Sequence, residues 1–276
     1  MHLLLQYVKS IMKFHFPNDK LTCTSTIEHA IPTPNIDPQR AINVKSYRIP
    51  KVHSDEVHRQ TEQMLSDCVI QHSSSPWDSP IFVAPKKLDS SCKRKWRVVV
   101  GFHKLNYATV GDSFPILVIS DVLDSLGKSK YFSTVDCVSG FWRIPVRRED
   151  RPKTAFSTEY GHFEYKSMPF GLKGAPATFK RLMSTVLSGM QGLKCLVYLD
   201  DIIGFGETLG VHNYKLREVF ARLRMHNLKL QQNKCEFLRK KVTYLGHKLT
   251  TQGLLPNPDK VIAVREFPYS HNHPPK

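Results

Sequence analysis

The stretch Cys195-Leu-Val-Tyr-Leu-Asp-Asp-Ile-Ile203 is an apolar run broken only by two adjacent aspartates. Carboxylates in such a run are costly to bury unless they are paired or bound to metal. A tight β-hairpin resolves the conflict. Leu196–Tyr198 goes up, Ile202–Ile203 comes down, and Asp200 and Asp201 sit at the turn. Asp-Asp is also simply a good turn dipeptide, so the pair alone does not separate a turn from a site.

Asp136 shifts that balance. Tyr131-Phe-Ser-Thr-Val-Asp136 reads as a buried strand ending in a carboxylate. If that strand lies beside the hairpin, three carboxylates converge at one sheet edge. Close carboxylates repel one another and favour hard divalent cations bound through oxygen. Two Mg²⁺ ions about 4 Å apart would activate a 3′-hydroxyl and stabilise a leaving pyrophosphate.

The chain as a whole is basic, with 40 Lys+Arg against 24 Asp+Glu and a net charge of +16 spread along its length. Such a surface suits a polyanion, nucleic acid first and an anionic membrane second, although many basic proteins are only basic. The opening Met1-His-Leu-Leu-Leu-Gln-Tyr-Val-Lys9 is too short and broken for a signal peptide or membrane span, and reads as a short helix. A membrane is therefore not an expected partner. Cysteines 23, 68, 92, 137, 195 and 235 are scattered, and no Cys/His set has zinc spacing. They read as reduced intracellular thiols.

Residues 17–50, with Pro17, Pro32, Pro34, Pro38 and Pro50, read as an extended linker or arm. A helix is expected from Ser54 as its N-cap, with Val57, Met64, Leu65, Cys68 and Val69 near helical spacing. Strands are expected at Ile81–Ala84 and Trp96–Phe102, joined by the basic loop Lys86–Lys95. That loop fits a phosphate contact or a solvated hairpin tip equally. A short helix fits Asp121–Leu126, and a strand fits Phe141–Val146. A helix entered at Pro176 carries Ala177, Phe179, Leu182, Met183, Val186, Leu187 and Met190 on one face and ends by Gly189 and Gly192. Another amphipathic helix fits residues 208–227. Short strands fit Val242–Leu245 and His247–Leu249. Strands and helices alternate without a βαβ repeat, so the fold class is α+β.

Tyr198-Leu-Asp-Asp201 resembles the Tyr-x-Asp-Asp box of reverse transcriptases. Flanking segments resemble the gypsy-type LTR retrotransposon branch, among them Tyr47–Pro50, Ser75–Pro80, Lys95–Arg97, Pro152–Phe156, Met168–Leu172, Ala175–Phe179, Lys234–Phe237 and Tyr244–His247. They occur in the family's order over roughly residues 20–268. The resemblance implies a right-hand polymerase with fingers and palm, its catalytic hairpin in an antiparallel palm sheet and the thumb largely missing. It implies an N-terminal helix and linker over 1–45, fingers over 46–111, and palm with the first catalytic aspartate over 112–143. The fingers return and nucleotide pocket would span 144–174, the palm with the hairpin 175–250, and a truncated start of thumb or connection 251–276.

It further implies an RNA-directed DNA polymerase using two Mg²⁺, or Mn²⁺, on RNA template, DNA primer, their hybrid and dNTPs. Asp136, Asp200 and Asp201 would be the metal-binding catalytic residues, assisted by the backbone carbonyl of Cys137. Arg97 would hold the triphosphate, while Phe170 and Gly171 line the nucleotide pocket. Phe141 matches the family's steric gate against a ribose 2′-hydroxyl, though as a residue it also fits an ordinary core aromatic. Tyr198, Leu245, Gly246, His247, Trp96 and Asn106 would contact primer and template. The setting would be intracellular, cytoplasm or virus-like particle.

Departures from the pattern stand at Gly101 and His103, where the family usually carries Asp and Arg, and at Cys137. Gly204 and Gly206 replace bulkier residues and are expected to weaken the strand after the hairpin turn. Gly101, His103 and the largely missing thumb keep open a second reading, a truncated, catalytically silent remnant that only binds nucleic acid. An RNA-synthesising palm polymerase fits less well with Phe141.

Overall fold

A computed structural model describes residues 22–36, 40–85, 96–114, 126, 129–137, 140–198, 201–231, 234–244, 247–250 and 253–256. The chain divides into two compact units. Unit 1 comprises 1–116, 137–188 and 222–229; unit 2 comprises 117–136, 189–221 and 230–276.

Unit 1 opens with the proline-rich arm, which is extended and also fastened down. The His29 N–H donates to the Pro145 carbonyl, and the Arg147 N–H donates back to His29. The buried Asp150 carboxylate accepts the Ile31 N–H at 2.8 Å and the Lys153 ammonium at 2.6 Å. Helix α1 (Ser54–Ser66) buries Val57, Thr61 and Met64, four and three residues apart on one face. A 3-10 turn, Lys51–His53, precedes it, so Ser54 is the first helical residue and not the expected N-cap. Its hydroxyl is engaged elsewhere, donating to Glu159 and meeting the Tyr160 hydroxyl.

Strands β1 (Ile70–His72), β2 (Ile81–Pro85) and β3 (Trp96–Val100) follow. β2 and β3 form an antiparallel pair from Ile81↔Val100 to Pro85↔Trp96, as the sequence implies; its tip, residues 86–95, lies outside the described residues. Gln60 of α1 grips β3 with both ends of its amide, donating to the Trp96 carbonyl and accepting the Val98 N–H. Helix α2 (His103–Ala108) comes next. Beyond β4 (Tyr131–Asp136), which belongs to unit 2, β5 (Phe156–Thr158) and β6 (Gly161–Tyr165) complete a three-stranded antiparallel sheet, β1-β6-β5.

The strand expected at Phe141–Val146 is instead a 3-10 turn, Gly140–Arg143, followed by a short extended piece. The Ile144 N–H closes back on the Phe141 carbonyl, the Val146 N–H donates to the Lys166 carbonyl, and the Met168 N–H donates to the Ile144 carbonyl. Helix α3 (Ala175–Val186) has Pro176 in its first turn and buries Phe179, Leu182, Met183 and Val186. It stops before Leu187 and Met190, which are buried beyond its end.

Unit 2 is built on a four-stranded antiparallel sheet ordered β7-β8-β4-β9, from β4 (Tyr131–Asp136), β7 (Cys195–Tyr198), β8 (Asp201–Gly206) and β9 (Glu236–Arg239). A second antiparallel sheet is a meander of β10 (Lys241–Tyr244), β11 (His247–Thr250) and β12 (Gly253–Pro256). Phe132, Leu196, Ile203, Phe205, Val242, Tyr244 and Leu249 form one core between them. Burying each such side chain contributes about 1.5–3 kcal/mol.

Helix α4 (Leu209–Met225) follows β8, with Leu216, Val219 and Phe220 buried. The two strand glycines are its seat. A Cβ on Gly206 would stand 2.7–2.9 Å from backbone and Cβ atoms of His212, and one on Gly204 would meet Leu216 Cδ1 at 3.2 Å. Besides any weakening of β8 expected from the sequence, these glycines let the helix approach the strand. The His212 ring, fully buried, meets the Ser133 hydroxyl at 3.0 Å, and Ser133 Oγ accepts the Leu238 N–H. The helix expected at Asp121–Leu126 lies outside the described residues except for Leu126. Among the described residues no helix is long and apolar enough to cross a membrane.

Candidate active site

Strand β4 is an apolar, β-branched run and takes a central place in its sheet, paired on both sides. Its last residue, Asp136, stands directly opposite Asp201, the first residue of β8. Tyr198, the last residue of β7, pairs with the other side of Asp201. The hairpin read from the sequence is therefore present, and two of the three aspartates meet in register on adjacent strands. Asp200 lies outside the described residues, and among those residues no group of three His, Cys, Asp or Glu is placed to hold a metal ion.

The pair is not left bare. Lys234 Nζ sits 3.1 Å from Asp136 Oδ2. The Gln231 N–H donates to the Asp136 carbonyl at 2.8 Å. The Tyr244 hydroxyl donates to the Asp201 carbonyl at 3.3 Å, fixing β8 from the second sheet. Loss of hydration, and then the Asp136 charge, push the Asp201 carboxyl above its ordinary value, with Lys234 acting in the opposite sense. A cavity of about 400 Å³ opens here, lined by Asp136, Asp201, Lys234, Lys241, Tyr244 and Lys248. Two facing carboxylates, already drawing a cation, are the donor set a hard divalent ion takes.

Unit 1 holds most of the other residues named from the sequence, whereas Tyr198, Leu245, Gly246 and His247 belong to unit 2. Phe141, in the 3-10 turn, has its ring 4.9 Å from Phe170 and 5.4 Å from Phe179. Phe170 is 54% exposed although apolar. Gly171 has φ +94, a backbone conformation that favours glycine. The Asn106 amide clamps that turn, donating to the Gly171 carbonyl at 2.7 Å and accepting the Lys173 N–H at 2.8 Å. Arg97 is exposed on β3 and, with Met64, Trp142 and Phe170, lines a cavity of about 450 Å³. The Trp96 ring lies 4.3 Å from His53. Cys137 is buried. His247 opens β11 opposite Tyr244, while Leu245 and Gly246 lie outside the described residues.

The sequence reading assigned no role to Lys234, Gln231 or the Tyr244 hydroxyl. Lys234 stood inside a recognised box, but its contact with Asp136 joins residues 98 apart and leaves no local signal.

An α+β chain whose antiparallel sheet brings aspartates together at the ends of two central strands is built as the palm and fingers of a polymerase. The family model for reverse transcriptase (RNA-dependent DNA polymerase) matches residues 84–249, and the chain belongs to that family. It is 46% identical over 250 residues to the retrovirus-related Pol polyprotein from transposon 297 of Drosophila melanogaster, covering 91% of this chain and 23% of the relative. It is 34% identical over 256 residues to the corresponding polyprotein from transposon gypsy of the same organism, covering 92% of this chain and 24% of the relative. These relatives agree with the gypsy-type LTR retrotransposon reading. The chain spans about a quarter of the length of these polyproteins. The foamy viral protease-reverse transcriptase, solved in complex with RNA/DNA hybrid, superposes with a TM-score of 0.81 at 23% identity, over 96% of this chain and 35% of that one.

Proposed function

We propose that this chain is an RNA-directed DNA polymerase that adds dNTPs to a primer 3′-hydroxyl on an RNA template. The observation that carries the reading is the in-register pairing of Asp136 with Asp201. Asp136, Asp200 and Asp201, with the Cys137 carbonyl, would hold two Mg²⁺ or Mn²⁺ ions. When bound, such ions supply Lewis-acid activation of the hydroxyl and charge neutralisation at the leaving group.

The chain's own residues do the rest. Arg97 presents a guanidinium suited to phosphate oxygens. Phe141, held by Phe170 and Phe179, bars a ribose 2′-hydroxyl. Phe170 and Gly171 shape the nucleotide pocket, with Asn106 keeping the Gly171 turn in place. Tyr198, Trp96, Asn106, Leu245, Gly246 and His247 contact primer and template, mostly through backbone and sugar and so without sequence preference. Residues 46–111 and 144–174 serve as fingers, 112–143 and 175–250 as palm, and 251–276 as the start of a thumb or connection. The reaction takes place in the cytoplasm or a virus-like particle.

Primer extension on a primed RNA template, with Mg²⁺ and dNTPs, tests this. Asp201→Asn is expected to lower extension by about a thousandfold, the scale of several kcal/mol of lost charge stabilisation, while duplex binding persists. If the wild-type chain binds the duplex but does not extend it, the silent-remnant reading replaces this one. If Gly101→Asp with His103→Arg then restores extension, those two departures caused the loss.

A further inference from the structure

Lys234 is held at Asp136 by more than a flexible side chain. The segment before β9 grips the same aspartate twice. The Gln231 N–H bonds the Asp136 carbonyl at 2.8 Å, and the Lys234 N–H bonds the Gln231 carbonyl at 3.0 Å, closing a turn. From that turn the Lys234 ammonium reaches Asp136 Oδ2 at 3.1 Å. Asp136 faces Asp201 across adjacent strands, so two like charges share one sheet edge. Two like charges so placed repel each other, and a positive charge set against one of them eases that repulsion. Lys234 enters the cavity that both aspartates line, with its side chain 57% exposed and thus free to swing away.

We propose that Lys234 is the resident counter-ion of the Asp136–Asp201 pair, neutralising it in the metal-free protein and giving up Asp136 when a divalent cation binds. The inference rests on the metal-binding reading of these aspartates. Two cations that compete for one carboxylate are linked: each weakens the other by the same factor. The ion pair is partly exposed and screened, so the factor is modest, about three- to tenfold in divalent affinity.

The test is Mn²⁺ binding to the full chain followed by electron paramagnetic resonance, with thermal melts in chelator and in saturating Mn²⁺. Lys234→Met is expected to bind Mn²⁺ about three- to tenfold tighter than wild type. It should melt lower than wild type in chelator, and the deficit should shrink when Mn²⁺ is present. Lys234→Arg keeps the charge and should behave as wild type in both assays. A side chain that merely braced the fold would lower the melting point equally with and without metal and leave Mn²⁺ affinity alone; that pattern overturns the proposal. The metal reading fails separately. If Asp201→Asn abolishes Mn²⁺ binding but Lys234→Met does not tighten it, only the counter-ion role is lost. If wild type binds no Mn²⁺ at all, the metal site itself is refuted, and the counter-ion role with it.

Discussion

Replacing Gly206 by alanine should damage unit 2 far out of proportion to one methyl group. The new Cβ would stand 2.7 Å from His212 N, 2.8 Å from its Cα and 2.9 Å from its Cβ. Two of these three are backbone atoms in the first turn of α4, so no side-chain rotation relieves the clash. Either the end of β8 or the start of α4 must shift by roughly half an ångström, a response typical of overpacked sites. The shift carries the buried His212 ring with it and strains its contact with Ser133. Overpacking of this kind costs about 1–3 kcal/mol, and the immobile partners put Gly206→Ala near the top of that range. With a urea dependence of about 2 kcal/mol per molar, the midpoint should fall by about 1.5 M. Gly204→Ala is the control: its Cβ meets only the far end of the Leu216 side chain, at 3.2 Å, and should cost well under half as much. The assay must report on unit 2. Tryptophan fluorescence does not, because Trp77, Trp96 and Trp142 all belong to unit 1. Far-UV circular dichroism is the appropriate probe. The reasoning is refuted if Gly206→Ala unfolds at the wild-type midpoint, or if Gly204→Ala loses as much.

Three further outcomes are expected. Burial pushes the His29 imidazole from 6.5 down to about 4, so the unfolded chain takes up its proton first; stability is full above 6.5 and falls as pH drops towards about 4, by about 3 kcal/mol for this residue. His29→Gln should flatten that dependence in denaturation midpoints measured across the window, and an unchanged slope would count against it. Asn106→Ala removes both hydrogen bonds to the 171–173 turn and should cost about 1–2 kcal/mol in urea unfolding; it should also raise the KM for dNTP, whereas an exposed neighbour such as Tyr107→Ala should do neither. Phe141→Val should let rNTPs compete, lowering dNTP over rNTP selectivity by about ten- to hundredfold in steady-state extension; unaltered selectivity would reduce Phe141 to a packing residue.

Much of this molecule is written locally in the chain. β4 and β8 are legible because each is a largely apolar run that ends or begins at an aspartate, and β7 because its apolar residues lead into the same Asp-Asp turn. α3 and α4 are legible from period. α2 is not, because only Leu105 of its six residues is buried and one apolar position has no period. The 141–146 segment misleads for a different reason. Its aromatic and aliphatic residues suit a strand, yet Gly140–Arg143 is a 3-10 turn in which the Phe141 ring packs with Phe170 and Phe179, partners no local pattern announces. The glycines at 204 and 206 look like weak spots until the helix that needs the space is seen. At the site, the aspartates are named by sequence and their pairing follows from the register. The cation that answers them comes from a distant turn, and only folding reveals it.

The interleaving of the two units bears on how the chain is made. The polypeptide passes from one unit to the other after residues 116, 136, 188, 221 and 229. Neither unit is a continuous stretch that a ribosome delivers whole. When β4 emerges it has no sheet to join, because its neighbours β8 and β9 lie beyond residue 200. The strand must wait with both edges open, and closing so long a loop is slow relative to local structure. A nascent chain stopped before residue 234 therefore carries the aspartates without the lysine that offsets them. The edge that carries Asp136 and Asp201 is among the last features of the protein to come into being, and a chain ending between residues 136 and 201 leaves β4 without either of its neighbours, a sticky, unpaired strand.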